Sequence, residues 1–285
     1  MKKKTKVFGL IYIYLVLFLM YLPILVIIAF SFTRSNNIGV WNGFTFSLYK
    51  TLFSHKKIMR ALLNTILIAL SSALVATLLG TLGAIGVFYT SKRKQKTFEA
   101  INQIPVVNAE IVMAISLAIL FRLGVQALSY MGVKATSPNF VTLLIGHVTL
   151  SISFVYLSVK PKLLQMDPFE YEAALDLGAK PSTALRKIVL PAITPGIVSG
   201  FLLAFTLSLD DYVITSFLRN PAFETLSTYV QGVIVKSTIP PELRALTTLI
   251  FVFTLIVVLL SSYKREPSSS SRFKKRELMR KGNIN

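Results

Sequence analysis

At 285 residues the chain is long enough for two soluble domains, yet 53% of it is hydrophobic and only 15% charged. Ordinary soluble domains carry roughly 25% charged residues, so this composition excludes a water-coated globule and implies an integral membrane protein. The net charge of +19 does not imply nucleic-acid binding, because Lys and Arg fall in short segments between long uncharged runs, as at a membrane edge facing anionic lipid.

Six runs nearly free of charge are predicted spans: 7–30, 61–90, 101–121, 141–159, 188–218 and 245–263. Each reaches the roughly 17–25 residues needed to cross about 30 Å of hydrocarbon as a helix. The first follows Lys2, Lys3, Lys4 and Lys6. It is longer than a signal-peptide core of about 7–15 residues and has no clear cleavage site, so it reads as an uncleaved helix. The second carries Gly80, Gly83 and Gly86, a ridge of small residues expected to pack against another span. Glu110 interrupts the third. His147, in the fourth, stands far from His55 with no ligand cluster nearby; with no cysteine in the chain, no metal site is expected. The fifth contains Ser208, Asp210 and Asp211 and, like the second, is long enough to tilt or break. With both termini in the cytoplasm, 21 of the 31 Lys and Arg residues lie on the cytoplasmic side and 10 outside, which fits the positive-inside rule. The expected organisation is a cytoplasmic start at 1–6, a six-span domain at 7–263, and a basic cytoplasmic tail at 264–285 facing solvent or lipid.

The loop 160–187 has mixed charge and helical patterning. Asp167 suits a helix N-cap, Pro168 the first position, and Glu170 the far member of a capping box. Phe169, Ala173 and Leu177 recur at helical spacing. Gly178 can end the helix in a left-handed turn, and a second short helix is expected from Pro181 or Ser182. Within this loop Glu172, Ala173 and Ala174 are followed by Gly178, then Ile188, Leu190 and Pro191.

That spacing resembles the EAA loop of the membrane-spanning subunits of ATP-binding-cassette importers. The resemblance implies an all-α type I importer permease fold and a coupling helix. Glu172 would offer a charge to a separate ATPase, Ala173 and Ala174 would allow close approach, and Gly178 would set the bend. The chain contains no G-x-x-x-x-G-K-[ST] phosphate loop. It is therefore expected to perform no covalent chemistry and to bind no cofactor, with ATP and magnesium held by two partner ATPase subunits.

Acids within the spans bear on the substrate. A charge near the bilayer centre costs roughly 2.5–3.5 kcal/mol on insertion scales and generally faces a cavity or path. Glu110, Asp210 and Asp211 could therefore attract a cation, adjacent carboxylates gripping an ammonium group. They could equally be helix caps, and the two roles can coexist where a helix breaks. The stretches WNGFTFSLY, AEIVMAISLAILF and LSLDDYVITSF are similar to those of the second permease of spermidine/putrescine importers. That resemblance covers nearly all of 8–263. It implies roles in polyamine uptake for Glu110, Ser208, Asp210 and Asp211, and an outer-loop role for Trp41, a residue type that also anchors membrane boundaries. Family members often carry Asp where Glu110 stands, and an outer-loop aromatic expected near position 48 is replaced by Leu48. The implied partners are a homologous second permease, two ATPases, an extracytoplasmic polyamine-binding protein and membrane lipid, in a prokaryotic plasma membrane. The same architecture could serve thiamine, iron or an anion, the last disfavoured by the acids. An ion-coupled carrier would have no ATPase for the EAA loop to dock on, and a membrane hydrolase would need a GxSxG or HExxH motif that is absent.

Overall fold

The computed structural model describes residues 2–35, 39–132, 138–236 and 239–263; the expected tail at 264–285 lies outside them. The architecture is all-helical, with one antiparallel bridge between Thr33 and Phe44 among the described residues. The helices are α1 (Lys2–Phe30), α2 (Ser47–Ser54), α3 (Lys56–Phe88), α4 (Lys92–Val107), α5 (Glu110–Tyr130) and α6 (Phe140–Gln165). They continue as α7 (Pro168–Asp176), α8 (Pro181–Ala184), a π-helical turn (Leu185–Val189), α9 (Leu190–Asp210), α10 (Val213–Leu218), α11 (Leu226–Val235) and α12 (Glu242–Tyr263). Five stretches of helix are long and apolar enough to cross a membrane among the described residues: Gly9–Phe30, Lys56–Phe88, Glu110–Tyr130, Phe140–Gln165 and Pro181–Asp210. The sixth expected run, 245–263, lies on α12.

The chain divides into two compact units, Met1–His55 with Ile239–Asn285, and Lys56–Thr238. In the first, α1 and α2 pack on α12. From Leu10 to Met20 the side chains of α1 are exposed, and a helix apolar on every face is stable only in lipid or against a partner. The buried Arg244 donates from its guanidinium to the carbonyl oxygens of Phe30 at 3.3 Å and Ser35 at 2.7 Å. The first bond ties the start of α12 to the last turn of α1, where the helix leaves carbonyls without intrahelical partners, and the second to the segment that follows it.

In the second unit α3, α6 and α9 form the centre, around Ala73, Ala76, Val155, Val159, Ile193 and Ala204. A second apolar cluster, including Ile68, Ala114, Leu143 and Ile214, brings in α5 and α10. Close approach depends on glycines other than most of those the sequence singled out. Gly80 lies against Val155, but Gly83 and Gly86 have nothing within 4 Å of where a side chain would start. Steps of three residues rotate a ridge by about 60° each on a helix of 3.6 residues per turn, so Gly86 points about 120° away from Gly80. Gly146, Gly196 and Gly200 make the other tight contacts. A Cβ on Gly196 would meet the Ser158 carbonyl oxygen at 2.8 Å and the Val159 Cα at 3.2 Å. Backbone cannot rotate away as a side chain can. Gly196→Ala is therefore expected to destabilise the unit by about 1–3 kcal/mol, the usual penalty of overpacking, measured as a lowered unfolding temperature in detergent.

The expected third span is displaced. The run 101–107 finishes α4, a helix that begins on Lys92, Arg93, Lys94 and Lys96, and α5 starts afresh at Glu110. Asn108 and Ala109 are extended between them. The nearly charge-free window runs through this break because Glu110 is the only charged residue in 101–121. Lys160 on α6 pairs with Glu99 on α4 at 2.7 Å and anchors α4 to the central helices.

The loop after α6 follows the expected pattern. Asp167 Oδ1 accepts from the Phe169 N–H at 3.0 Å; that bond stands in place of the capping box with Glu170. At the other end Gly178 has φ +84°, in the left-handed region that favours glycine. Its N–H donates to the Leu175 carbonyl, and the Ala179 N–H to that of Ala174. This double bond pattern is a Schellman motif. From Pro181 the chain is helical through the π turn to Asp210.

Candidate functional site

The fifth predicted span breaks at the acids themselves. α9 ends at Asp210, Asp211 leaves helical geometry with ψ 122°, and α10 begins at Val213. A restarting helix exposes backbone N–H groups that need acceptors, and Asp211 supplies them. Its Oδ1 accepts from the Ile214 N–H at 3.2 Å, and its Oδ2 from the Thr215 N–H at 2.8 Å and the Thr215 hydroxyl at 2.7 Å. The Ser227 hydroxyl donates to the Asp211 carbonyl at 2.7 Å. The sequence allows Asp210 as the cap of a restarting helix; in the structure the residue after it fills that place.

Beneath the break lies a buried polar cluster that the sequence did not disclose. His147 on α6 is 2% exposed. Its Nδ1 is 2.6 Å from Ser208 Oγ and its Nε2 3.0 Å from Thr215 Oγ1, with Asp211 Oδ2 at 3.5 Å. Ser72 on α3 donates to Ser208 Oγ at 2.9 Å. Five buried side chains from α3, α6, α9, α10 and the break thus satisfy one another among apolar helices, where an unpaired polar group is costly. The available cue was His147 itself, since a histidine inside an apolar span needs partners wherever they lie in sequence. Among the described residues no group of three or more His, Asp or Glu side chains is placed to hold a metal.

Glu110 and Asp210 are placed differently. Both are exposed, Glu110 as the first residue of α5 and Asp210 as the last of α9. α5 packs against α10, and Glu110 lies within electrostatic reach of both Asp211 and Asp210. Of the three acids, two are exposed at helix ends, while the third is bonded into the helix restart. Ser208 is buried beneath them.

The remaining predicted residues occupy other places. Trp41 belongs to the first unit, 52% exposed, its ring edge-on to Phe30 at 6.2 Å. Nearby in sequence Phe32, Phe44, Phe46 and Tyr49 form an aromatic cluster with ring centroids 5.2–6.1 Å apart, in which Phe32 stacks on Phe44 and the other pairs meet edge-on or tilted. Glu172, Ala173 and Gly178 are exposed and Ala174 is half-buried. Phe169 and Leu177 on the same helical stripe are 70% and 89% exposed. On the opposite side Tyr171 packs on the central cluster, 5.2 Å from the Tyr89 ring. α7 is thus fastened by one side and presents an apolar, acid-flanked face on the other.

Comparison with known proteins agrees with this architecture. Residues 76–265 match the family described as "Binding-protein-dependent transport system inner membrane component". The spermidine/putrescine transport system permease protein PotC of Haemophilus influenzae is 35% identical over 242 residues, 85% of this chain and 90% of that protein. The putrescine transport system permease protein PotI of Escherichia coli is 32% identical over 264 residues, 92% of each. A solved bacterial ABC transporter that imports the acidic polysaccharide alginate has the same fold, with a TM-score of 0.73 at 19% identity over 92% of this chain and 96% of that one. Multi-pass, helical, and carrying the coupling-loop pattern, the chain belongs to the family of inner-membrane components of binding-protein-dependent transport systems.

Proposed function

We propose that this chain is the membrane-spanning permease subunit of an ATP-driven importer of polyamines such as spermidine and putrescine. The observation that carries this reading is the break of the fifth helix at Asp210 and Asp211, with Glu110 exposed at the start of α5, in a protein whose net charge is +19. A path for an anion would have no use for three acids, whereas a flexible polycation needs separated carboxylates to pair with successive ammonium groups. The names of the two relatives support the same substrate class. In this reading Glu110 and Asp210 contact the substrate, Ser208 and Asp211 hold the break behind them, and Trp41 supplies an aromatic face in the outer loop.

The chain forms half of a path completed by a homologous permease. One of two ATPases docks on α7 through Glu172, Ala173, Ala174 and the turn at Gly178, and the two ATPases bind the ATP and magnesium. A polyamine-binding protein delivers substrate from outside. The assembly sits in a prokaryotic plasma membrane with both termini cytoplasmic.

The test is uptake of radiolabelled spermidine into vesicles holding this chain with its partner permease, ATPases and binding protein. Saturable uptake that vanishes without ATP or without this chain is the expected result. ATPase activity responding to a binding protein loaded with another solute, with no spermidine uptake, would overturn the substrate assignment and leave the permease role standing.

A further inference from the structure

The hydroxyls around His147 fix the direction of its hydrogen bonds. Thr215 gives its only hydroxyl proton to Asp211 Oδ2, so at Nε2 it accepts, and Nε2 carries the imidazole proton. Nδ1 is then an acceptor and takes the Ser208 proton, while Ser208 accepts from Ser72. The Ser72 proton is shared between Ser208 Oγ and the Ala69 carbonyl, and from Ser208 the bonds run one way through His147 and Thr215 to the carboxylate of Asp211. Alongside the direct cap that Asp211 places on α10, His147 is the side chain that bridges Ser208, two residues before Asp210, to Thr215, four after Asp211. Because a fully satisfied buried network is rigid, the imidazole, together with the Asp211 cap, sets the separation and rotation of the two helix ends.

We propose that His147 is a positioning residue for transport, holding the α9–α10 break and with it the end of α9 that carries Asp210; this rests on the polyamine reading of Asp210 and Glu110. His147 touches no substrate. Its neutral ring sets the geometry in which two separated charges meet two ammonium groups, so its loss weakens substrate affinity before it slows turnover.

The experiment uses the complete transporter in proteoliposomes with radiolabelled spermidine, comparing wild type with His147→Leu, His147→Gln and Thr215→Val. His147→Leu and Thr215→Val are each expected to raise KM about tenfold, the scale of one lost charge-assisted bond, with the maximal rate per assembled complex little changed. His147→Gln, whose amide can both donate and accept, is expected to recover part of the affinity. An unchanged KM in whichever variant assembles overturns the assignment, as does failure of both His147→Leu and Thr215→Val to assemble. No uptake by the wild-type complex overturns the polyamine reading and this role with it, whereas normal wild-type uptake with unchanged variant KM overturns the His147 role alone.

Discussion

Asp210→Asn and Glu110→Gln should each raise the KM for spermidine uptake by about 10–100-fold, while the complex still assembles. A hydrogen bond to a charged group is worth about 1.5–3 kcal/mol, and each 1.4 kcal/mol is about a factor of ten in affinity. Both side chains are exposed, and neither holds up a helix through a bond to its carboxylate. The amides keep their size and polarity, so the charge alone is removed. Asp211→Asn is the contrast. Its carboxylate accepts three bonds from Ile214 and Thr215, and an amide nitrogen cannot accept. That change should lower the thermal stability of the assembled complex as well as uptake, by about 1–3 kcal/mol for the bonds left unmade. Uptake kinetics and unfolding temperatures of the three variants separate contact from cap. Unaltered uptake by both Asp210→Asn and Glu110→Gln would remove these carboxylates from the path.

Glu172→Lys should abolish coupled transport, lowering spermidine uptake by more than about tenfold, while leaving insertion of the chain intact. The residue is exposed on α7 beside Phe169 and Leu177, and burying a Phe or Leu side chain in a partner contributes about 1.5–3 kcal/mol each. A reversed charge in the middle of such a contact opposes the partner instead of matching it. The readouts are co-purification of the ATPases with the permease and ATPase activity stimulated by loaded binding protein. Phe169→Ala should weaken co-purification by about tenfold through lost apolar burial alone. Full co-purification and stimulated activity in both variants would remove α7 from the coupling interface.

Much of this architecture was legible because lipid imposes a simple rule: every backbone group must be satisfied within the helix, so apolar runs of sufficient length are helices. The coupling loop was legible for a different reason. Asp167 and Gly178 carry local, spacing-dependent chemistry, an N-cap and a left-handed turn, which needs no tertiary information. Features that depend on rotation or on distant partners were hidden. The break at Asn108 and Ala109 lies inside one hydropathy window. Gly196 and Gly200, on which the α6–α9 contact relies, look no different in sequence from Gly83 and Gly86. His147 looked isolated because its partners are 61 and 68 residues away, and only folding brings α6 against the end of α9. The acids could be seen, but whether each was a contact or a cap could not. Asp210 and Asp211 are neighbours in sequence, yet one is exposed and the other buried.

The unbroken helical stretch from Pro181 through the π turn to Asp210 has a mechanical consequence. At about 1.5 Å per residue, its 30 residues span about 45 Å. One end is joined to α7 by the turn at Gly178, and the other carries Asp210. A swing of about 10° about the Pro181 end would carry the Asp210 end through about 8 Å, farther than any ammonium–carboxylate contact can stretch. The α9–α10 break is then the joint at which such a lever lets go of its load, since a carboxylate riding on the rod would be withdrawn from one left behind on α5.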